Sequence, residues 1–104
     1  MDLTQDQWKS KLENDPEAII IDVRTYEEVE EGMIPNAIHL DIYQGQDFID
    51  RINNLDKEKP YYVYCKAGGR SQQACHIMNE IGFSQTYNLE GGFMNWNGPV
   101  DYPK

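Results

Sequence analysis

Cysteine is scarce: Cys65 and Cys75 are the only two in 104 residues. Two thiols cannot build a disulfide framework, and with no CxxC pair and no Cys/His zinc spacing they predict free thiols in a reducing compartment. Histidine is equally sparse. His39 and His76 have no ligand spacing, so both are expected on a strand or at the surface, and no metal site is predicted. Basic residues are outnumbered, nine Lys and Arg against eighteen Asp and Glu, for a net charge of −9. Such a chain repels nucleic-acid phosphates and anionic headgroups, which argues against nucleic-acid or membrane partners. Long apolar runs are missing as well. The stretch from Met1 to Ile20 is polar until its last residues, so neither a signal peptide nor a membrane anchor is expected, and a cytoplasmic location is. With no internal repeat, low-complexity tract or linker, residues 1–104 are read as one domain.

What is present is the composition of an ordinary globular protein, 39% hydrophobic and 26% charged. A chain of this length buries roughly two thirds of the surface its unfolded form exposes, enough for a core without staples. The charge is uneven: residues 1–58 carry fifteen acids and five bases, whereas residues 59–104 carry three acids and four bases. Anion handling, if any, belongs to the second half.

Along the chain, Thr4 and Gln7 have capping-box spacing and Leu3 is placed to staple onto Trp8, which opens a helix ended by Asn14-Asp15-Pro16. The β-branched run from Ala18 to Val23 predicts a central parallel strand buried on both faces. Thr25 and Glu28 repeat the capping box, so a short acidic helix follows as far as Gly32. Ile38-His39-Leu40 predicts a brief strand, and Phe48, Ile52 and Leu55 a helix between Asp47 and Leu55. Tyr61 to Tyr64 reads as a strand. Ala74, Ile77, Met78 and Ile81 then stripe a helix stopped by Gly82. Thr86 to Leu89 is a last strand, and Phe93 to Trp96 a short helical turn. Alternating strands and helices predict an α/β fold with a mostly parallel sheet and right-handed crossovers.

In such sheets ligands bind beyond the carboxyl ends of the strands. Cys65 lies at that edge, followed by Lys66, Ala67, Gly68, Gly69, Arg70 and Ser71. Adjacent glycines let successive N–H groups converge as an anion nest, the following helix adds its positive end, and Lys66 and Arg70 add full cations. Surroundings of this kind bring a cysteine pKa from about 8.5 into a range of roughly 3.5 to 7.5. The segment predicts a nucleophilic thiolate beside a socket for oxyanions; the alternative is a small buried hydrophobe ahead of an ordinary turn.

These segments together resemble the single-domain rhodaneses, sulfurtransferases that carry sulfur as a cysteine persulfide. The resemblance spans nearly the whole chain: Ile21-Asp22-Val23-Arg24, the Gly32-Met33-Ile34-Pro35-Asn36-Ala37 segment, the Cys65 to Arg70 loop, and Leu89-Glu90-Gly91-Gly92 with Trp96. Met33 and Asn36 stand where the family usually has His and Gly, and the tail after Trp96 is short. The resemblance implies a three-layer domain with helices on both faces of the sheet. It implies Cys65 as nucleophile toward thiosulfate or a persulfide donor, and cyanide, a small thiol or a thioredoxin-like protein as acceptor. Lys66 through Arg70 would bind the anionic donor, with no metal or organic cofactor.

Two rival readings use the same loop. A phosphatase or arsenate reductase of the cell-division-phosphatase type resembles this arrangement but has about five residues between Cys and Arg, where only Lys66 to Gly69 intervene here. A protein-to-protein sulfur carrier is the other. Cys75, beside the apolar stripe of its helix, is expected as core. Asp22 and Arg24 are expected to form a structural ion pair, the Glu27, Glu28, Glu30, Glu31 run a solvated helix face, and Tyr61, Tyr62, Tyr64, Trp8 and Trp96 core and strand residues rather than a stacking platform.

Overall fold

The computed structural model describes residues 1–103. Nine regular elements follow one another: β1 (Asp2–Leu3), α1 (Gln5–Glu13), β2 (Ile19–Asp22), α2 (Tyr26–Glu30), β3 (Ile38–His39), α3 (Gln46–Asn53), β4 (Pro60–Tyr64), α4 (Gly69–Glu80) and β5 (Gln85–Leu89). Single 3-10 turns occupy Ile42–Gln44 and Phe93–Asn95. The five strands form one sheet in the order β1-β5-β4-β2-β3, and every pairing is parallel. This is the expected α/β architecture.

Pleat alternation sorts the side chains into two cores. On one face Ile21, Val23, Tyr61, Val63 and Cys65 pack with Phe48 and Ile52 of α3 and Ala74, Cys75 and Met78 of α4. On the other face Ile20, Tyr62, Tyr64 and Leu89 surround Trp8 of α1, with Phe93 and Trp96 against them. The result is three layers. Trp8 meets Tyr62, Tyr64 and Trp96 edge-on, and its indole donates to the Tyr87 carbonyl at 3.1 Å. Trp8, Tyr61, Tyr62 and Tyr64 are core, as expected, and Trp96 is half-buried against Trp8.

Local signals decide where the helices begin and end. Both capping boxes form, Thr4 with Gln7 and Thr25 with Glu28. At the end of α4, Gly82 takes a φ of 109°, and the N–H groups of Gly82 and Phe83 donate to Asn79 and Met78. That double bond closes the helix with a residue only glycine supplies cheaply.

Two features depart from expectation. Leu3, read as a staple for α1, also belongs to β1, an edge strand that pairs Asp2 with Asn88 and Leu3 with Leu89. The tail after Trp96 returns across the molecule, where Met33 and Asp101 exchange backbone hydrogen bonds at 2.8 Å in an isolated antiparallel bridge. Asn36 takes φ 69°, the left-handed conformation that its short amide side chain tolerates better than most residues.

Candidate active site

β4 ends at Tyr64, and Cys65 follows directly at the carboxyl edge of the sheet under the N-terminus of α4. The turn between them needs Gly68, whose φ of 107° makes it a left-handed N-cap. With the chain so folded, the Gly68 N–H donates to Cys65 Sγ at 3.1 Å and the Ser71 N–H at 3.4 Å. The Ser71 hydroxyl lies 3.3 Å from the same sulfur. Amides therefore converge on the sulfur, Gly68 from within the expected Lys66 to Arg70 loop and Ser71 from just beyond it, a serine that sequence reading did not assign.

Cys65 is only 1% exposed. Burial pushes its thiol pKa up, but hydrogen bonds from the Ser71 hydroxyl and from the Ser71, Gly68 and Ala67 amides outweigh that and bring it below the ordinary value. Cys75 is the contrast. It is buried in the core against α3 and β4, and with too little compensation its thiol is pushed up to about 11. One thiol is poised to ionise and the other is kept protonated.

A second loop clamps the first from behind. Phe93 and Met94 donate backbone N–H bonds to the Cys65 and Lys66 carbonyls at 2.8 and 3.0 Å. Gly92, at φ 63°, sits so close that a Cβ there would come within 2.4 Å of the Lys66 carbonyl oxygen. This contact is the physical reason for Gly92 in the Leu89-Glu90-Gly91-Gly92 segment.

The charged residues divide sharply. Lys66, Ala67 and Gly69 are exposed, and Lys66 makes no ion pair among the described residues. Arg70 is held by Glu28 of α2 in a two-pronged pair, Nη1 to Oε1 at 2.6 Å and Nη2 to Oε2 at 2.9 Å. Its guanidinium also lies 5.5 Å from the centre of the Tyr43 ring. Arg70, with the Thr25 cap bonds added, overcomes partial burial and holds the Glu28 carboxyl down at about 2. Glu28 is thus an ion-pair partner of the loop, not part of a solvated face. Glu27, Glu30 and Glu31 are exposed as expected.

Asp22 and Arg24 form the expected structural pair. Arg24 Nη2 meets Asp22 Oδ2 at 2.7 Å, both side chains are buried, and the same nitrogen donates to the Gly32 carbonyl at 2.7 Å. His39 in β3 meets the Arg24 carbonyl at 2.7 Å, and His76 pairs with Glu80 on the exposed side of α4. Among the described residues no group of His, Cys, Asp and Glu is placed to hold a metal, and no helix is long and apolar enough to cross a membrane.

Beside the loop a recess of about 150 Å³ is lined by Arg24, Glu28, Glu31, Lys66, Phe93 and Met94. The larger recess, about 480 Å³, is bounded by α1 and the turn at 34–36 and touches none of the Cys65 to Arg70 residues.

Comparison with known proteins places this arrangement. The rhodanese-like domain family matches residues 4–99. A Bacillus subtilis (strain 168) protein named "Putative sulfurtransferase YtwF" is 46% identical over 90 residues, covering 86% of this chain and 84% of that protein. Thiosulfate sulfurtransferase GlpE of Coxiella burnetii is 41% identical over 78 residues, covering 75% of this chain and 70% of that protein. Among solved structures, a rhodanese-like domain protein from Staphylococcus aureus superposes with a TM-score of 0.85 at 31% identity, covering 99% of this chain and 98% of the other.

Proposed function

We propose that this chain, which belongs to the rhodanese-like domain family, moves sulfane sulfur through a persulfide on Cys65. Sulfurtransferase activity in general follows from its relatives; the route and the substrates are our reading. The observation that carries it is the cradle: a thiol at a strand end, faced by the Gly68 and Ser71 amides at the mouth of α4. Such donors stabilise negative charge on a sulfur in that position without metal or cofactor.

In this reading the Cys65 thiolate attacks the outer sulfur of thiosulfate or of an organic persulfide. The donor's S–S bond breaks, and sulfite or the donor thiolate leaves with the bonding pair. The new S–S bond leaves a terminal sulfur, anionic after loss of any proton, within reach of the loop amides. An acceptor thiolate or cyanide then attacks that terminal sulfur and Cys65 departs as thiolate, so one transfer is divided into two displacements. Small thiols and thioredoxin-like proteins are the acceptor class. Free, buried Cys65 and Cys75 suit a reducing, cytoplasmic setting.

Phosphoryl transfer is the less favoured reading. Its general acid must be protonated, yet Glu28 beside the loop is held at about 2 by Arg70, and Asp22 is fully buried against Arg24. The test is the intact mass of the protein after thiosulfate treatment, with peptide mapping. One added sulfur on the Cys65 peptide, and loss of thiosulfate:cyanide transfer in Cys65→Ser, is the expected result. Aryl-phosphate hydrolysis that disappears in Cys65→Ser, with no sulfur adduct, would overturn it.

A further inference from the structure

A row of hydrogen-bonded side chains runs from the edge strand to the thiol. Asp2 of β1, Asn88 of β5, Ser71 of α4 and Cys65 are successive neighbours; Asn88 and Ser71 are 3% and 0% exposed. The Asn88 amide has one possible orientation here. Its nitrogen faces two acceptors, Asp2 Oδ1 at 2.9 Å and the Gly68 carbonyl at 3.2 Å. Its oxygen therefore faces Ser71 Oγ, with which it is in hydrogen-bond contact. An amide oxygen only accepts, so the Ser71 hydroxyl must supply the proton. That hydroxyl has a single proton, and Cys65 Sγ at 3.3 Å and the Gly68 carbonyl at 3.2 Å ask for the same one.

We propose that Asn88, oriented by Asp2, is a positioning residue that competes with Cys65 for the Ser71 proton and so opposes the free thiolate. In the thiol state every group is satisfied: the Cys65 S–H donates to Ser71 Oγ, and Ser71 donates to Asn88 Oδ1. Ionisation removes the first proton. Ser71 can then serve the sulfur only by turning away from Asn88, which leaves a buried amide oxygen without a partner. Once Cys65 carries a second sulfur, the inner atom is uncharged and Ser71 returns to Asn88. The network thereby favours the thiol and the loaded persulfide over the bare thiolate, while the backbone amides of Gly68 and Ser71 continue to hold negative charge.

Other charges also face Cys65. Arg70 of α4 is tied to Glu28 of α2 and Lys66 lies in the loop. The buried Asp22–Arg24 pair stands on the neighbouring β2 edge, and Asp2 is an acid in its own right. The experiment must separate their fields from the proton competition. It does so by repeating each substitution with Ser71 replaced.

The inference rests on Cys65 as the reacting thiol, and its assay, the pH dependence of iodoacetamide alkylation of the full chain, needs no sulfur transfer. Asn88→Leu removes the side-chain acceptor with little change in volume and leaves the Gly68 carbonyl, which also accepts from the Gln72 N–H at 3.1 Å, as a weaker competitor for the Ser71 proton. The alkylation midpoint should move to lower pH, with about three- to tenfold faster alkylation below the wild-type midpoint. Asp2→Ala, at an exposed residue, removes one of the two acceptors that fix the Asn88 amide and should act in the same direction by about two- to threefold, short of the Asn88→Leu effect because the Gly68 carbonyl still holds the nitrogen. It carries the test if the buried substitution does not fold. Both effects should vanish in a Ser71→Ala background. Unchanged or slower alkylation in the single variants, or a shift that persists without the Ser71 hydroxyl, would overturn the proposal. A failure of sulfur loading with these alkylation shifts intact would instead count against the proposed function.

Discussion

Removing Glu28 should improve the capture of an anionic donor while costing stability. In the folded protein Arg70 is neutralised by a two-pronged carboxylate, so the loop offers thiosulfate less positive charge than its composition suggests. Glu28→Gln keeps the size and the Thr25 cap contact but deletes a full negative charge. At roughly 6 Å in a high-dielectric setting, one charge against a dianion is worth about 1.4 kcal/mol, and salt reduces that. The KM for thiosulfate should fall by about three- to tenfold, most clearly at low ionic strength, with kcat changed far less. The stability cost follows from the carboxyl pKa. A drop from 4.5 to about 2 corresponds to roughly 3 kcal/mol. Screening at side chains that are 20% and 25% exposed reduces it to about 1 to 2 kcal/mol. Because the folded-state value is depressed, this contribution is present above about pH 4.5 and lost as the pH falls toward 2. Urea melts between pH 7 and pH 3 should therefore show a wild-type advantage at neutral pH that narrows in acid. An unchanged or raised KM at low salt would refute the reasoning and show that Arg70 serves the loop through its pairing alone.

Three further outcomes rest on the packing. Cys75→Ser should retain most sulfurtransferase activity and lose about 1 to 2 kcal/mol in a denaturant melt, since a hydroxyl replaces a buried thiol while the donors to Cys65 Sγ, the Gly68 and Ser71 amides, are untouched. Native alkylation at neutral pH should label Cys65 and spare Cys75, whose burial keeps it protonated to about 11. Gly92→Ala should cost about 2 to 4 kcal/mol and depress turnover together, because its Cβ would drive into the backbone that carries Lys66; thermal melting and steady-state kinetics read both.

Elements with a local cause were legible in the sequence. The capping boxes at Thr4 and Thr25, the α4 stripe closed by Gly82 and the β-branched run before Asp22 each announce themselves within a few residues, and all are observed. β1 escaped because two residues hold no periodicity; Asp2 and Leu3 become a strand only through the free edge of β5. The Met33 to Asp101 bridge escaped for a similar reason, being a backbone pairing between segments that carry no complementary pattern. Cys65 was legible as the candidate nucleophile because strand end, glycine turn and helix start are consecutive. Glu28 was not legible as the partner of Arg70, since a capping-box glutamate and an exposed-helix glutamate look alike until α2 and α4 are brought together across the sheet edge.

This division has a chemical consequence. The groups nearest the sulfur, the amides of Gly68 and Ser71, are backbone, and the chain supplies them through the positions of its glycines rather than through charged side chains. The side-chain charges that composition places in the loop are largely spent on one another: Arg70 on Glu28, Arg24 on Asp22. Of the two cations in the Cys65 to Arg70 loop, Lys66 is the one without an ion pair among the described residues, beside a recess that also holds Glu28 and Glu31. In the proposed reaction, stabilising charge on the bound sulfur and attracting the donor therefore fall to different parts of the structure. Changes at Glu28 or Lys66 should alter which donors enter with little effect on the cradle, whereas changes at Gly68 or Gly92 should disturb the cradle whatever the donor.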